Sequence, residues 1–222
     1  MGQGYNVAAV ARRQELLDSL QQKATGDGTC HIYAHDVTDY EAIPALFQQI
    51  ASDLGGLDLI VYNAGIQTAV SIDEYNFQKD RTMMEVNLLG AVAWLNEAAA
   101  RFERAGSGQI VGIGSVAGDR GRIGSPIYNA SKAGLHTYLE GLRNRLTRHG
   151  VGVTTIKPGF IATSMLDNVP KTFWVISPEE AAQRIIRAAD KGKQTVYIPA
   201  RWGLVMLIIR HIPSFVFRKL SF

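Results

Sequence analysis

Tyr128 and Lys132 stand four positions apart, and Ser115 lies thirteen residues before the tyrosine. Residues i and i+4 of a helix sit one above the other, so a helix through this stretch puts a phenol and an ammonium on one face. A phenol that titrates at about pH 10 is a poor proton donor or acceptor at neutrality. A neighbouring ammonium favours the phenolate and lowers that value. Ser115 can then hold a carbonyl or hydroxyl oxygen beside the phenol. The chemistry on offer is proton transfer at an oxygen. Taken alone, the spacing also fits an ordinary surface pair.

The elements that must position these groups follow from hydrophobic periodicity. Residues 5–11 read as a strand and 13–23 as a helix. A second strand covers 29–34, and an amphipathic helix near 40–53 carries Ile43, Leu46, Phe47, Ile50 and Leu54 at helical spacing. Residues 57–62 form a near-continuous apolar strand. A long helix over 81–104 ends at Ala105-Gly106-Ser107-Gly108, and 109–113 is the next strand. The helix that carries Tyr128 and Lys132 runs over 126–149, with Gly150 as its stop. Strands at 151–157 and 195–199 flank a helix that opens at Ser177-Pro178-Glu179-Glu180, a capping pattern. Apolar strands alternating with helices imply a parallel sheet covered on both faces. The expected fold class is α/β, a doubly wound, three-layered Rossmann-like sheet. Residues 1–200 form one domain, without linker or repeat, and 201–222 form an apolar and basic tail.

Composition narrows the function classes. A net charge of +3 and no Lys/Arg block argue against nucleic acid as a partner. With 46% hydrophobic and 19% charged residues the chain is long enough, at 222 residues, to bury one core. The single cysteine, Cys30, excludes an internal disulfide framework and fits a reducing, cytoplasmic compartment. The histidines show no metal-ligand spacing. No signal peptide is expected, because the chain begins polar and enters a strand at once.

Further motifs surround the Ser115, Tyr128 and Lys132 set. Asn63-Ala64-Gly65 follows the strand at 57–62, and Asn87 lies within Glu85-Val86-Asn87-Leu88. Ser115 belongs to Gly112-Ile113-Gly114-Ser115-Val116-Ala117-Gly118, and Pro158-Gly159 is followed by Thr163. In this order, over about residues 5–199, the chain resembles the short-chain dehydrogenase/reductase family, which transfers hydride between NAD(P) and a carbonyl or alcohol. The resemblance implies that Tyr128 protonates the carbonyl oxygen or accepts the hydroxyl proton. It implies that Lys132 lowers the phenol pKa and bonds the nicotinamide ribose, and that Ser115 positions the substrate oxygen. It also implies that Asn87 joins a water and Lys132 in a proton relay, and that Pro158, Gly159 and Thr163 hold the nicotinamide carboxamide. Asp36 and Val37 match the adenine-contacting pair. Asn63, Ala64 and Gly65 let the backbone approach the cofactor closely. In such folds ligands lie outside the carboxyl ends of the strands. Arg12 and Arg13 end the first visible strand there, and two guanidiniums suit a 2′-phosphate, so NADP(H) is favoured over NAD(H).

Plainer readings stand beside these. Arg12 and Arg13 also suit the start of a solvated helix, Asp36 an N-cap, and Asn87 a satisfied core amide. Asn63-Ala64-Gly65 also suits a strand-ending turn. The glycines from 112 to 118 resemble a dinucleotide loop, but their final spacing is wrong and no acidic residue follows at the needed distance. They read as an active-site loop in which Gly114 replaces a serine common in relatives. The loop over 163–175 carries Met165, Leu166, Phe173 and Trp174, which suits an apolar or amphipathic carbonyl substrate or simple packing on the body. The tail residues Leu204, Val205, Leu207, Ile208 and Ile209 form a run shorter than the roughly 20 residues needed to span a bilayer. With the tail's basic residues they suit a membrane surface or the partner subunit of a homo-oligomer.

One departure from the family pattern matters. The opening strand and the glycine-rich turn that cradles pyrophosphate are missing, which leaves strand edges without partners. A truncated start explains this most simply. Two readings follow: an NADPH-linked carbonyl reductase seen incomplete, or a catalytically inactive, cofactor-free scaffold or membrane-associated binding protein.

Overall fold

The apolar runs of the sequence become parallel strands, and the amphipathic stretches become the helices that join them. The computed structural model describes residues 4–166 and 172–220. The chain divides into two compact units, one up to Asp58 and one from Leu59 onward.

The first unit contains β1 (Val7–Ala11), α1 (Gln14–Gln22), β2 (Cys30–Ala34) and α2 (Ile43–Asp53). A 3-10 turn, Tyr40–Ala42, leads into α2. β1 and β2 pair in parallel, from Val7 with Cys30 to Ala11 with Ala34. α2 buries Ile43, Phe47, Ile50 and Ala51, one face of a helix of period 3.6. The turn between β1 and α1 carries Arg12 and Arg13 and no glycine.

The second unit contains β3 (Leu59–Tyr62), α3 (Phe77–Met84), α4 (Gly90–Ala105), β4 (Gly108–Ile113), α5 (Pro126–Leu146), β5 (Val151–Pro158), α6 (Pro178–Asp190), β6 (Thr195–Ile198), α7 (Arg201–His211) and α8 (Ser214–Phe217). Its strands form a parallel sheet in the order β3-β4-β5-β6. Val111, Ile156 and Ile198 of that sheet pack against Ala181, Ala188 and Ala189 of α6. On α5, Leu135, Leu139, Leu142 and Leu146 are buried at helical spacing. Parallel strands joined by helices make this an α/β, Rossmann-like fold. Among the described residues, β1 pairs with β2 alone and β3 with β4 alone, so each keeps one edge without a strand partner.

The structure refines several expected boundaries. The helix expected over 81–104 begins at Phe77, because the Asn76 side chain accepts the Lys79 N–H at 3.2 Å and caps it. It is also not α-helical throughout: Glu85–Leu89 is a π turn centred on Asn87. The helix expected over 126–149 ends at Leu146, continues as the 3-10 turn Thr147–His149, and stops where Gly150 takes a left-handed φ of 72°. Ser177 caps α6 as anticipated, accepting the Glu180 N–H at 3.1 Å. The tail from residue 201 folds into α7 and α8, and Trp202 and Met206 are buried with Val116. Among the described residues, no helix is long and apolar enough to cross a membrane.

Candidate active site

β4 delivers Ser115 and α5 delivers Tyr128 and Lys132. The chain leaves β4 at Ile113 and turns through the 3-10 segment Val116–Asp119, where the Ser115 hydroxyl accepts the Ala117 N–H at 3.1 Å. Pro126 opens the first turn of α5, and within that turn Tyr128 is buried among Met83 and Ala117. Burial pushes the Tyr128 phenol pKa up, while the nearby Ser115 hydroxyl and the charge of Arg122 pull it down. Lys132 is 4% exposed, and burial pushes its pKa down to about 8. Its Nζ donates to the Ile113 carbonyl at 3.0 Å and lies 6.0 Å from the Tyr128 ring centre. The spacing alone assigns the lowering of the phenol pKa to Lys132. The groups that lower it here are Ser115 and Arg122, because the lysine turns its ammonium to β4.

Asn87 joins the strand-end turn to α5. Its Oδ1 accepts the Ile66 N–H at 2.8 Å, and its Nδ2 donates to the Ile66 carbonyl at 2.9 Å and to Ser131 Oγ at 3.1 Å. Ser131 Oγ in turn donates to the Tyr128 carbonyl at 2.9 Å. The amide is therefore a satisfied core group, and it also fixes the segment after Asn63-Ala64-Gly65 against the tyrosine helix. The π turn explains how a helix aims an amide out of its own ladder toward a loop. A Cβ on Gly65 would stand 3.2 Å from Lys132 Nζ and 3.4 Å from Asn87 Oδ1, so a side chain here would press on the lysine ammonium. Asn63 is exposed and Ala64 half-buried beside it.

The other candidate cofactor residues fall in separate places. In the first unit, Arg12 Nη1 lies 3.6 Å from Asp36 Oδ2, with both side chains well exposed. Asp36 Oδ1 accepts the Thr38 N–H at 3.0 Å and the Thr38 hydroxyl at 2.8 Å, so it closes a turn and caps no helix. Partial burial pushes its pKa up, but the bonds from Thr38 and the charge of Arg12 outweigh that and leave it lowered. Arg13 is the N-cap of α1 without a side-chain capping bond, and Val37 follows Asp36 half-buried. In the second unit, Pro158 ends β5, and the Gly159 N–H donates to the Ile198 carbonyl at 2.8 Å. The indole of Trp202 occupies the place a Gly159 Cβ would need, which accounts for the glycine by packing. Thr163 is exposed, its hydroxyl 3.4 Å from the Ile161 carbonyl. Within the expected substrate loop, residues 167–171 lie outside the described residues. Phe173 and Trp174 stack with Phe160 and Trp202 at centroid distances of 5.1–5.7 Å, so the packing reading holds for them.

Sequence reasoning missed a buried polar cluster behind Ser115. Asp119 Oδ1 lies 2.6 Å from Lys157 Nζ, and Asp119 Oδ2 accepts the Tyr197 hydroxyl at 2.6 Å. His136 Nδ1 stands 3.7 Å from the same carboxylate, and His136 Nε2 accepts the Ser115 N–H at 3.4 Å. An amide N–H can only donate, so Nε2 carries the lone pair and Nδ1 the proton. Burial, with the Lys157 charge, pushes the His136 pKa down to about 3. The imidazole is therefore neutral. A lysine at the end of the buried strand 151–157 was the available signal.

His136 also explains Gly114. A Cβ there would come 2.3 Å from His136 Nε2 and 3.0 Å from the Ile156 carbonyl, and one on Gly118 would meet the Lys132 and Ala133 backbone. These glycines let α5 approach the serine loop. Gly114→Ala should therefore overpack the site and lower stability by about 1–3 kcal/mol, read from urea unfolding. An unchanged midpoint would show that the ring moves aside freely.

Beside Tyr128 lies an open pocket lined by Gln67, Thr68, Ala69, Val70, Gly124, Ser125 and Met165. The phenol approaches Met165 Sδ at 4.0 Å. Arg122 Nε, Ser125 Oγ and Asn129 Oδ1 are buried without a hydrogen-bond partner among the described residues.

The sequence pattern of the short chain dehydrogenase family matches residues 1–173. An uncharacterized oxidoreductase of Myxococcus xanthus is 30% identical over 217 residues, covering 96% of this chain and 85% of its own length. An uncharacterized oxidoreductase of Mycobacterium tuberculosis is 28% identical over 224 residues, covering 99% and 88%. Among solved structures, serine dehydrogenase from Escherichia coli superposes with a TM-score of 0.71 at 26% identity, over 84% of this chain and 81% of that one. A bulky-bulky ketone specific alcohol dehydrogenase from Comamonas testosteroni shares the fold, with a TM-score of 0.78 at 23% identity over 96% of this chain and 87% of its own. With that match over most of its length, the chain belongs to the short-chain dehydrogenase/reductase family and is an oxidoreductase.

Proposed function

We propose that the protein reduces a carbonyl compound with NADPH, or oxidises the matching alcohol, through Ser115, Tyr128 and Lys132 with support from Asn87. The observation that carries this reading is the placement of a buried phenol, Tyr128, against Ala117 of the serine loop, with the buried ammonium of Lys132 about one turn further along α5. The residues fit a dinucleotide at its nicotinamide end. Lys132 has three N–H donors and commits one to Ile113, while Gly65 keeps the space beside it free of a side chain. In the second unit, Lys132, Asn63, Ala64, Gly65, Pro158, Gly159 and Thr163 would hold that end. Within the first unit, Arg12, Arg13, Asp36 and Val37 are of the types that suit an adenosine 2′-phosphate. When bound, NAD(P)H supplies the hydride.

The chain's own residues do the rest. Ser115 Oγ holds the substrate oxygen. Tyr128 Oη gives that oxygen its proton in reduction and takes it back in oxidation. Lys132 keeps a positive charge near the site below about pH 8. Asn87 holds the loop and helix in register. The pocket's mix of Val70 and Met165 with Ser125 and Thr68 suits an amphipathic carbonyl compound. The reading is tested by following NADPH oxidation against a panel of ketones and aldehydes, and no turnover with any class would count against it.

The cofactor preference has its own test. Arg12→Ser with Arg13→Ser should raise KM for NADPH about tenfold or more, the worth of a lost charge-assisted contact of ~1.5 kcal/mol or above. KM for NADH should hardly move. The Arg12–Asp36 pair is exposed, so stability should change by under about 1 kcal/mol. Equal effects on both cofactors would remove the 2′-phosphate assignment.

A further inference from the structure

α7 is apolar on two faces. Trp202, Val205, Met206 and Ile209 turn inward, packed with Val116 and Phe160. Leu204, Leu207 and Ile208 occupy the opposite i, i+3 and i+4 positions and are 66%, 47% and 61% exposed. Beyond Pro213, α8 adds a further exposed aromatic, Phe215, which is 64% exposed. A helix on a protein body normally buries one apolar stripe and shows a polar face, and a contiguous exposed apolar patch marks an interaction surface.

Charge decides what that surface meets. The last acidic residue of the sequence is Asp190, and Lys191, Lys193, Arg201, Arg210, Arg218 and Lys219 all follow it. Arg201, Arg210, Arg218 and Lys219 are exposed around the apolar row. The patch is also held in place. Arg120 Nη1 donates to the carbonyls of Ile209 and Arg210 at 3.1 and 2.9 Å, and its guanidinium lies 4.2 Å from the Phe217 ring centre.

We propose that α7 and α8 form a docking surface for an anionic lipid membrane, with the exposed apolar side chains entering the interface and the cations facing lipid headgroups. The geometry is that of a helix lying on a bilayer. With 11 residues, α7 is only ~16 Å long at about 1.5 Å per residue, against a hydrocarbon core of ~30 Å. A symmetric contact with a second copy fits the charges poorly. Such an interface sets the same patch against itself, so cations would face cations with no carboxylate in the segment to answer them.

The test uses the full chain and needs no enzymatic activity, so its failure is separate from failure of the catalytic reading. Sedimentation with vesicles of phosphatidylcholine mixed with phosphatidylglycerol should carry the protein down. Vesicles of phosphatidylcholine alone should bind at least tenfold more weakly, and raised salt should release the protein from the mixed vesicles. Leu204→Ser with Ile208→Ser should weaken binding at least tenfold, and so should Arg218→Glu with Lys219→Glu. Both pairs lie on exposed positions, and circular dichroism checks that the fold remains; should the serine pair disturb it, the charge reversal alone decides. No binding to the mixed vesicles overturns the proposal, as does equal binding to both lipids. A dimer in size-exclusion chromatography that the serine pair dissociates also overturns it, in favour of a second copy as occupant.

Discussion

Tyr128→Phe should lower kcat for carbonyl reduction by about 10²- to 10⁴-fold, the range a positioned general acid contributes, while leaving the fold intact. The ring stays, so its packing against Met83 and Ala117 stays. The hydroxyl's contact with Met165 Sδ is long, at 4.0 Å, and a sulfur is a weak acceptor. Stability should therefore change by no more than about 1 kcal/mol, read as a urea midpoint. The pH profile distinguishes proton transfer from a structural role. Burial holds the phenol in its acid form, which is the form that reduction needs, so reduction by the wild type should be flat through neutral pH. Alcohol oxidation needs the phenolate and should rise with pH. Lys132 loses its charge as pH passes about 8, which removes a cation from the site on the alkaline side. The phenylalanine variant should lose the rise altogether. Retained turnover with the same profile would show that another group moves the proton.

The grouping of Ser115, Tyr128 and Lys132 was legible in the sequence because it depends on short-range geometry. Tyr128 and Lys132 share a helix face by spacing alone, and Ser115 follows a strand whose apolar run is easy to see. Strands and helices were legible for the same reason, with ends off by a few residues where a cap such as Asn76 or a 3-10 turn such as Thr147–His149 decided them. The π turn at Asn87 was not legible, since its residues suit an α-helix and only the pull of Ile66 and Ser131 on the amide favours the wider turn. Arg122 was hidden because its effect on Tyr128 arises from burial and proximity. The Asp119, His136, Lys157 and Tyr197 cluster joins residues spread over 78 positions of chain, and no local pattern announces it.

That cluster should dominate the stability of the serine loop. Asp119 is 2% exposed at its side chain and is the one carboxylate that Lys157, Tyr197 and His136 share. Asp119→Ala would leave the Lys157 ammonium buried without its counter-ion, and losing one partner of a buried pair costs about 3–5 kcal/mol. Adding Lys157→Met should recover much of that loss, because the stranded charge goes with it. Activity should fall in the single variant even where it remains folded, since Ser115 takes its backbone bond from the ring that Asp119 faces. The effect should appear in kcat more than in KM, as expected for a group that aims the serine. Acid pH should act on the same cluster. The folded His136 titrates at about 3, against 6.5 for the free side chain, so the unfolded chain binds the extra proton between those values. The neutral-imidazole contribution is thus complete above pH 6.5 and is lost as pH falls toward 3, on the order of 5 kcal/mol at the extreme for a single group. Lys157 and Lys132 face the ring and deepen the loss, while Asp119 opposes it. His136→Gln should flatten the acid limb of the stability curve, measured by urea unfolding from pH 7 to pH 4 in steps of about half a unit. An acid limb as steep as the wild type's would place the sensitive proton elsewhere.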